Sequence, residues 1–500
     1  MKRNYIKILM CSITLLLVFV LSGCSLPIPK YFKKTTNDLP TEEYSRSTLD
    51  NIEAYDKAYS YKDVLKLMTG NSGYMPSVGN VKVLVIPIKF SNIYTSTTSL
   101  ASYHRDLERA FFGDDTGYES LSSFYEKSSY GKLKISGEVL PWYTPSNTST
   151  YYENIYSNSS SNSSITNSLG DLAIEVLNKY KDEIDFSEYD YDKDGILDGV
   201  YLVCNKSEQK HGSLYWSWVS YYGGKDSLKQ DDYDYKLYQF MWSTIEFIYN
   251  DDYYRSIKTD GVNAISYIHE TGHMFGIDDF YDYSANEYKE TIFGTKKLNK
   301  SGDGCNLGAG SFDMMDSNVG DHNANTKMML GWITPYVVTR DTTIELNKFS
   351  KNGDAIIVSP SFSMDAGNLS EYFVIEYYDH NGLADQNPYD TRGYTISGIR
   401  IYHINGQLTY DGKYWSLFKY DNSYTSHAYI TLIDAKSNKK GKTDFIDSAF
   451  AATDESLFQE GDTFTPNDCN EYVNKLLTKL SITIDSVNEE TAKISIKFSE

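Results

Sequence analysis

The stretch Tyr267-Ile268-His269-Glu270-Thr271-Gly272-His273 sets two imidazoles four residues apart with a carboxylate between them. If the chain is helical from about Val262, His269 and His273 lie one turn apart on one face, where both can bind a single zinc ion. Glu270 then projects toward the open coordination position. Gly276 frees the backbone to leave the helix in a conformation closed to residues with a Cβ. A sharp turn there returns Asp279 to the metal as third ligand; Asp278 is the adjacent alternative, and the spacing favours Asp279. Three protein ligands and a water describe a catalytic zinc site rather than a closed structural one. The ion acidifies its water and polarises a peptide carbonyl, while Glu270 takes the proton and passes it to the leaving amine. With 8 His in the chain, a chance His-Glu-x-x-His has odds on the order of one per cent.

His-Glu-x-x-His-x-x-Gly-x-x-Asp resembles the extended motif of metzincin-type peptidases, with Asp where many members carry a third His. More narrowly, the chain resembles the immune inhibitor A-like family of bacterial secreted metallopeptidases. Phe124 to Leu133 with Gly137, Asp190 to Val200, Gly310 to Asp316 and Lys327 to Pro335 carry that likeness. It spans residues 76–335 well and reaches more loosely through Glu371 to Glu376 and Gly398 to His403. The resemblance implies an α/β (α+β) metzincin-like catalytic domain acting on protein or peptide substrates. It also implies a methionine turn beneath the zinc at Met314-Met315, with Met315 the choice of the two. Two ordinary core methionines are the plainer reading. Tyr281 and His322 are candidates for stabilising the oxyanion, each with a structural role as the alternative.

A second ion is suggested by Asp190-Tyr191-Asp192-Lys193-Asp194-Gly195-Ile196-Leu197-Asp198, with carboxylates at loop positions 1, 3, 5 and 9 and Gly at 6. Oxygens so placed converge on calcium. Tyr201 stands where an EF-hand needs Glu, so a complete EF-hand is excluded. A shorter calcium turn built on Asp190, Asp192, Asp194 and Asp198 and a self-solvating acidic turn both stay open.

The elements that must position these residues follow from pattern. Val81 to Phe90 is a β-branched run typical of a buried strand, Leu121 to Tyr130 reads as helix, and Lys132 to Val139 alternates like a half-exposed strand. Thr144 to Asn167 has the Ser, Asn, Thr and Tyr composition of a surface loop. Leu169, Leu172, Ala173, Val176, Leu177 and Tyr180 then recur at helical spacing. After Trp332 come short strand-like runs: Ile356 to Val358, Tyr372 to Glu376, Gly398 to His403, Tyr429 to Ile433, Leu480 to Ile484 and Ala492 to Phe498. They suggest a C-terminal β-rich domain.

At the N-terminus, Met1-Lys2-Arg3 precedes an apolar run from Ile6 to Leu21 that closes at Leu21-Ser22-Gly23-Cys24, the anatomy of an export signal. The ending resembles the bacterial lipobox, in which Cys24 is acylated and tethers the protein to a membrane without spanning it. A plain transmembrane anchor is the alternative, and the run is somewhat short for one. The expected organisation is therefore a signal peptide over 1–23, a tether with a short helix (Ala54 to Met68) over 24–75, the peptidase over 76–335 and a β-rich accessory domain over 336–500. Cys204, Cys305 and Cys469 remain after processing and form neither a disulfide framework nor a zinc ribbon; one disulfide is possible between an undetermined pair.

A net charge of −21 argues against a nucleic-acid partner, because phosphate binding needs clustered Lys and Arg. The residues thus point to a lipid-anchored zinc endopeptidase on the bacterial cell surface. A non-peptidase zinc hydrolase and a surface binding protein or adhesin with a structural zinc helix are the alternatives. Retention of Glu270 argues against the latter, since holding zinc needs no base.

Overall fold

The computed structural model describes Glu53–Ala54 and residues 73–499, the latter apart from 250–261, 282–307, 360–370, 384–393 and several shorter stretches. The signal run, Cys24, Cys305 and Cys469 lie outside the described residues, as does the expected helix after Ala54. Ala54 itself closes a two-residue strand. Among the described residues no helix is long and apolar enough to cross a membrane.

The first half of the chain builds a five-stranded sheet in the order Leu133–Val139, Gly79–Ile88, Gly199–Cys204, Gln239–Thr244, Trp218–Tyr221. The first four strands are parallel, and Trp218–Tyr221 runs antiparallel at the edge. Side chains of Gly79–Ile88 divide by period two, as a strand covered on both faces requires. Val81, Val83 and Val85 enter one core with the helices Thr97–Phe112, Leu121–Ser128 and Ile265–Met274. Leu84, Ile86 and Ile88 enter a second core beneath the helix Ser163–Tyr180. The expected stripe from Leu169 to Tyr180 is buried there.

One expectation fails. The segment from Thr144 to Asn167 is not a loop throughout: Ser149–Asn158 is helical, and the next helix already begins at Ser163. The polar composition concealed a few anchoring rings. Tyr152 is buried with its ring 5.7 Å from Phe90, and Ile155 and Tyr156 pack against the same core. Tertiary burial of that face outweighs weak local propensity.

Beyond residue 335 the described elements are mostly strands, and the architecture as a whole is mixed α/β. A six-stranded sheet runs Glu53–Ala54, Tyr336–Val338, Ala355–Val358, Glu371–Tyr378, Gly398–Asn405, Ile430–Leu432, and a four-stranded sheet runs Thr342–Asn347, Thr491–Phe498, Leu480–Val487, Thr463–Phe464. Their facing side chains, including Ile356, Ile375, Ile401, Ile482 and Ile494, form a third core. The other face of the six-stranded sheet presents Ile357, Tyr372, Val374, Tyr402 and Leu432 to the first core, alongside Val83, Ile268, Met315 and Met328. The core that surrounds the motif helix therefore continues across residue 335 into the C-terminal sheet.

Candidate metal centre

The helix that carries the motif spans Ile265–Met274, a turn shorter at its start than the expected helix from Val262. Asn263 ends the preceding chain by accepting the Ile265 N–H on its side-chain oxygen at 2.9 Å. Three buried hydroxyls fix the helix in place. Tyr125 donates to the Ile268 carbonyl at 2.6 Å, Tyr267 donates to the Thr244 carbonyl at 2.9 Å, and Tyr201 lies 3.0 Å from the Thr271 hydroxyl.

The helix closes as the glycine spacing requires. Gly276 has φ of 91°, and the Ile277 and Gly276 N–H groups donate back to the Gly272 and His273 carbonyls. That paired closure is the Schellman motif, and it turns the chain sharply enough to bring Asp279 back. Asp279 Oδ1 lies 3.1 Å from His269 Nε2 and 3.4 Å from His273 Nε2. The imidazole rings stand 4.8 Å apart at 87°. One donor atom from each of His269, His273 and Asp279 falls within 4.8 Å of the others. Asp278 is exposed and stands outside this group.

The donor chemistry fits a divalent cation. His269 Nδ1 lies 2.8 Å from the Met314 carbonyl, and His273 Nδ1 lies 2.7 Å from the Ile277 carbonyl. A carbonyl only accepts, so each Nδ1 carries a hydrogen and Nε2 is the ring atom that faces Asp279. Burial alone would push both imidazoles toward neutrality, but the adjacent Asp279 outweighs it and raises His269, and raises His273 to about 10. Burial alone would also raise Asp279, yet the two imidazoles hold it well below the usual carboxylate range. Three groups so pressed together hold protons at Nε2, and a metal ion that displaced those protons would take up the same lone pairs. Burial raises Glu270, with the two imidazoles partly opposing it, the direction that suits a group cycling between base and acid.

Met314 and Met315 are both buried beneath this helix and begin the short helix Met314–Ser317. A Cβ on Gly272 would meet Met315 Sδ at 2.4 Å, so glycine there lets the sulfur approach the helix. Met314 supplies the carbonyl that orients His269, and the Met315 carbonyl accepts the Phe280 N–H at 2.8 Å, next to Asp279. Sequence reasoning missed the residue that shapes this turn. Asp313 is buried, caps the short helix by accepting the Met315 N–H, and accepts the Asn323 backbone and side-chain N–H groups. An Asp directly before a helical start was the available signal.

His322 is wholly buried among the rings of Phe124, Tyr125 and Trp332, at 5.8–6.0 Å. Burial lowers it to about 3. This packing matches its structural alternative. Tyr281 follows the ligand loop and is half-buried.

At the acidic loop, donor atoms of Asp190, Asp192 and Asp194 converge within 4.8 Å, whereas Asp198 is not among them. Asp198 instead accepts the Tyr191 N–H at 2.6 Å. Asp190 accepts the Asp194 and Gly195 N–H groups, both at 3.0 Å, and Gly195 takes the left-handed φ of 82° that such a turn needs.

Residues 77–201 match the family model described as immune inhibitor A peptidase M6, catalytic domain. No curated protein matches the chain. The matched segment holds the strands Gly79–Ile88 and Leu133–Val139 and the first half of Gly199–Cys204, and it ends before the motif helix, so the match and the metal geometry are separate observations that meet in one core. The match supports the immune inhibitor A-like family for this chain, and with it a metallopeptidase.

Proposed function

We propose that this chain is a zinc-dependent, metzincin-like endopeptidase that hydrolyses extracellular proteins at a bacterial cell surface. The observation that carries the reading is the convergence of His269, His273 and Asp279 with Glu270 fixed one residue after the first ligand. Zinc, when bound, supplies a Lewis acid that polarises the scissile carbonyl and acidifies water. Glu270 takes the proton from the attacking water and returns it to the leaving amine. Trp218–Tyr221 packs beside the motif helix, and among the described residues its outer edge is unpaired. An extended peptide adding to that edge would run alongside the strand that packs on the motif helix, the kind of cradle an endopeptidase needs.

Wild type and Glu270→Ala should be compared on a panel of unfolded proteins, with zinc content measured alongside. Equal zinc and a loss of cleavage of roughly 10²–10⁴-fold is expected for removal of a general base. Undiminished cleavage by the variant would sink the mechanism, and no cleavage by either protein would favour a binding role.

Two further parts of the reading have their own tests. Acylation of Cys24 would tether the enzyme, so Cys24→Ser should move it from the membrane fraction to the medium; an unchanged distribution would refute the anchor. Asp190, Asp192 and Asp194 would hold calcium, so saturating calcium at about 100 times Kd should stabilise the protein by about 2.7 kcal/mol. Asp192→Asn with Asp194→Asn should abolish that gain, and an unfolding midpoint indifferent to calcium would leave an ordinary acidic turn.

A further inference from the structure

We infer that the buried ion pair Arg400–Glu376, in the C-terminal sheet, is a positioning device for the metal ligands; this rests on the zinc reading above. The two residues are direct cross-strand partners on Gly398–Asn405 and Glu371–Tyr378. Both are buried, Glu376 completely. Arg400 Nε donates to Glu376 Oε1 at 2.5 Å, and Nη2 pairs with the same oxygen. Two opposite charges buried within a sheet are costly to desolvate, and replacing such pairs by apolar residues is often neutral or stabilising. Stability is therefore a poor account of why they stand there.

What they hold is a better one. Arg400 Nη1 reaches the Phe312 carbonyl at 3.4 Å, and its guanidinium lies over the rings of Tyr378 and Phe312 at 4.6 and 6.0 Å. Glu376 Oε2 accepts the Ala324 N–H at 2.7 Å. Phe312 and Ala324 are the two ends of the loop that carries Met314 and Met315. One ion pair thus grips that loop at its entry and its exit, and Asp313–Asn323 closes it just inside.

Between those grips the loop touches two of the three ligand positions. The Met314 carbonyl orients the His269 ring, and the Met315 carbonyl holds the Phe280 N–H beside Asp279. Only His273 takes its orienting carbonyl, that of Ile277, from its own turn. A shift of the loop would rotate one imidazole and displace the carboxylate together. Groups that orient ligands in this way are worth roughly 10–100-fold in metal affinity.

The test uses full-length protein. Arg400→Lys keeps the charge balance but lacks the planar fork needed to hold Glu376 and Phe312 at once. The double variant Arg400→Met with Glu376→Leu removes both charges and leaves no unpaired ion. Ile401→Val, on the opposite face of the same strand and in the third core, is the stability control. Zinc Kd by chelator competition and the visible spectrum of cobalt-substituted protein are read for each. Zinc Kd should rise about 10–100-fold in the Arg400 variants, with a changed cobalt spectrum, while the control keeps wild-type values. Folded Arg400 variants with wild-type zinc Kd and spectrum would overturn the inference alone. So would a double variant that cannot fold, because the pair would then be a folding determinant and not a positioning device. Wild-type protein that takes up no zinc would sink the metal reading and this inference with it.

Discussion

His269, Glu270, His273 and Asp279 were legible because their chemistry is local: eleven residues contain the two imidazoles, the carboxylate proposed as base, the glycine turn and the proposed third ligand. The groups around them were not legible, because they arrive from elsewhere in the chain. Tyr125, Asp313 and Arg400 act through contacts to backbone carbonyls or N–H groups far along the chain or outside the motif, and no spacing rule links them to it. A faint signal existed for Glu376 and Arg400, each a charge with apolar or aromatic neighbours on both sides in a strand-like run, a placement that only a partner makes tolerable. His322 belongs to this scale as well. Neither of its ring nitrogens has a hydrogen-bond partner among the described residues, and burial lowers it from 6.5 to about 3. Below pH 6.5 the unfolded chain gains a proton there that the folded chain refuses, so stability falls as pH drops. That proton costs about 2 kcal/mol by pH 5. His322→Phe keeps a ring against Tyr125 and removes the titration. Urea unfolding at pH 7 and pH 5 should show a loss smaller by about that amount in the variant, and equal losses would refute the account.

At the scale of elements, pattern served strands and long helices well and short polar helices badly. The valine and isoleucine run of the central strand and the stripe of the Ser163–Tyr180 helix are repeated burial choices, and repetition is what makes a period visible. Ser149–Asn158 has only a few apolar anchors, and its composition is that of a loop. The turn after the motif helix lies between these cases, since one glycine announces it. Gly276→Ala should cost about 1–2 kcal/mol, because φ of 91° is closed to a residue with a Cβ. The same change should weaken zinc binding by displacing Asp279. Chemical unfolding and a chelator titration together check this, and an alanine variant with unaltered zinc affinity would show that the turn does not set the third ligand.

At the scale of the molecule, the described elements change near residue 335 from mixed helices and strands to mostly strands, a change that hydrophobic pattern can detect. Pattern cannot detect that the six-stranded sheet turns one face to the four-stranded sheet and the other to the core around Met315 and Met328. Sidedness of that kind is decided by which surfaces meet, not by the order of residues along a strand. The same wrapping appears at the start of the described chain. Met75 donates its N–H to the Met274 carbonyl, Trp332 donates its ring N–H to the Ser77 carbonyl, and Glu53–Ala54 pairs with Tyr336–Val337.

This arrangement has a consequence in time. Synthesis runs from N-terminus to C-terminus, and segments fold as they become available. When Pro335 has been added, the proposed ligands, Glu270 and both methionines exist, but the strands that cover the Met315 loop have not been made. The motif is thus encoded before the strands that pack over its methionine loop, so on the reading proposed above a nascent chain carries the cutting residues before it carries what holds them in place.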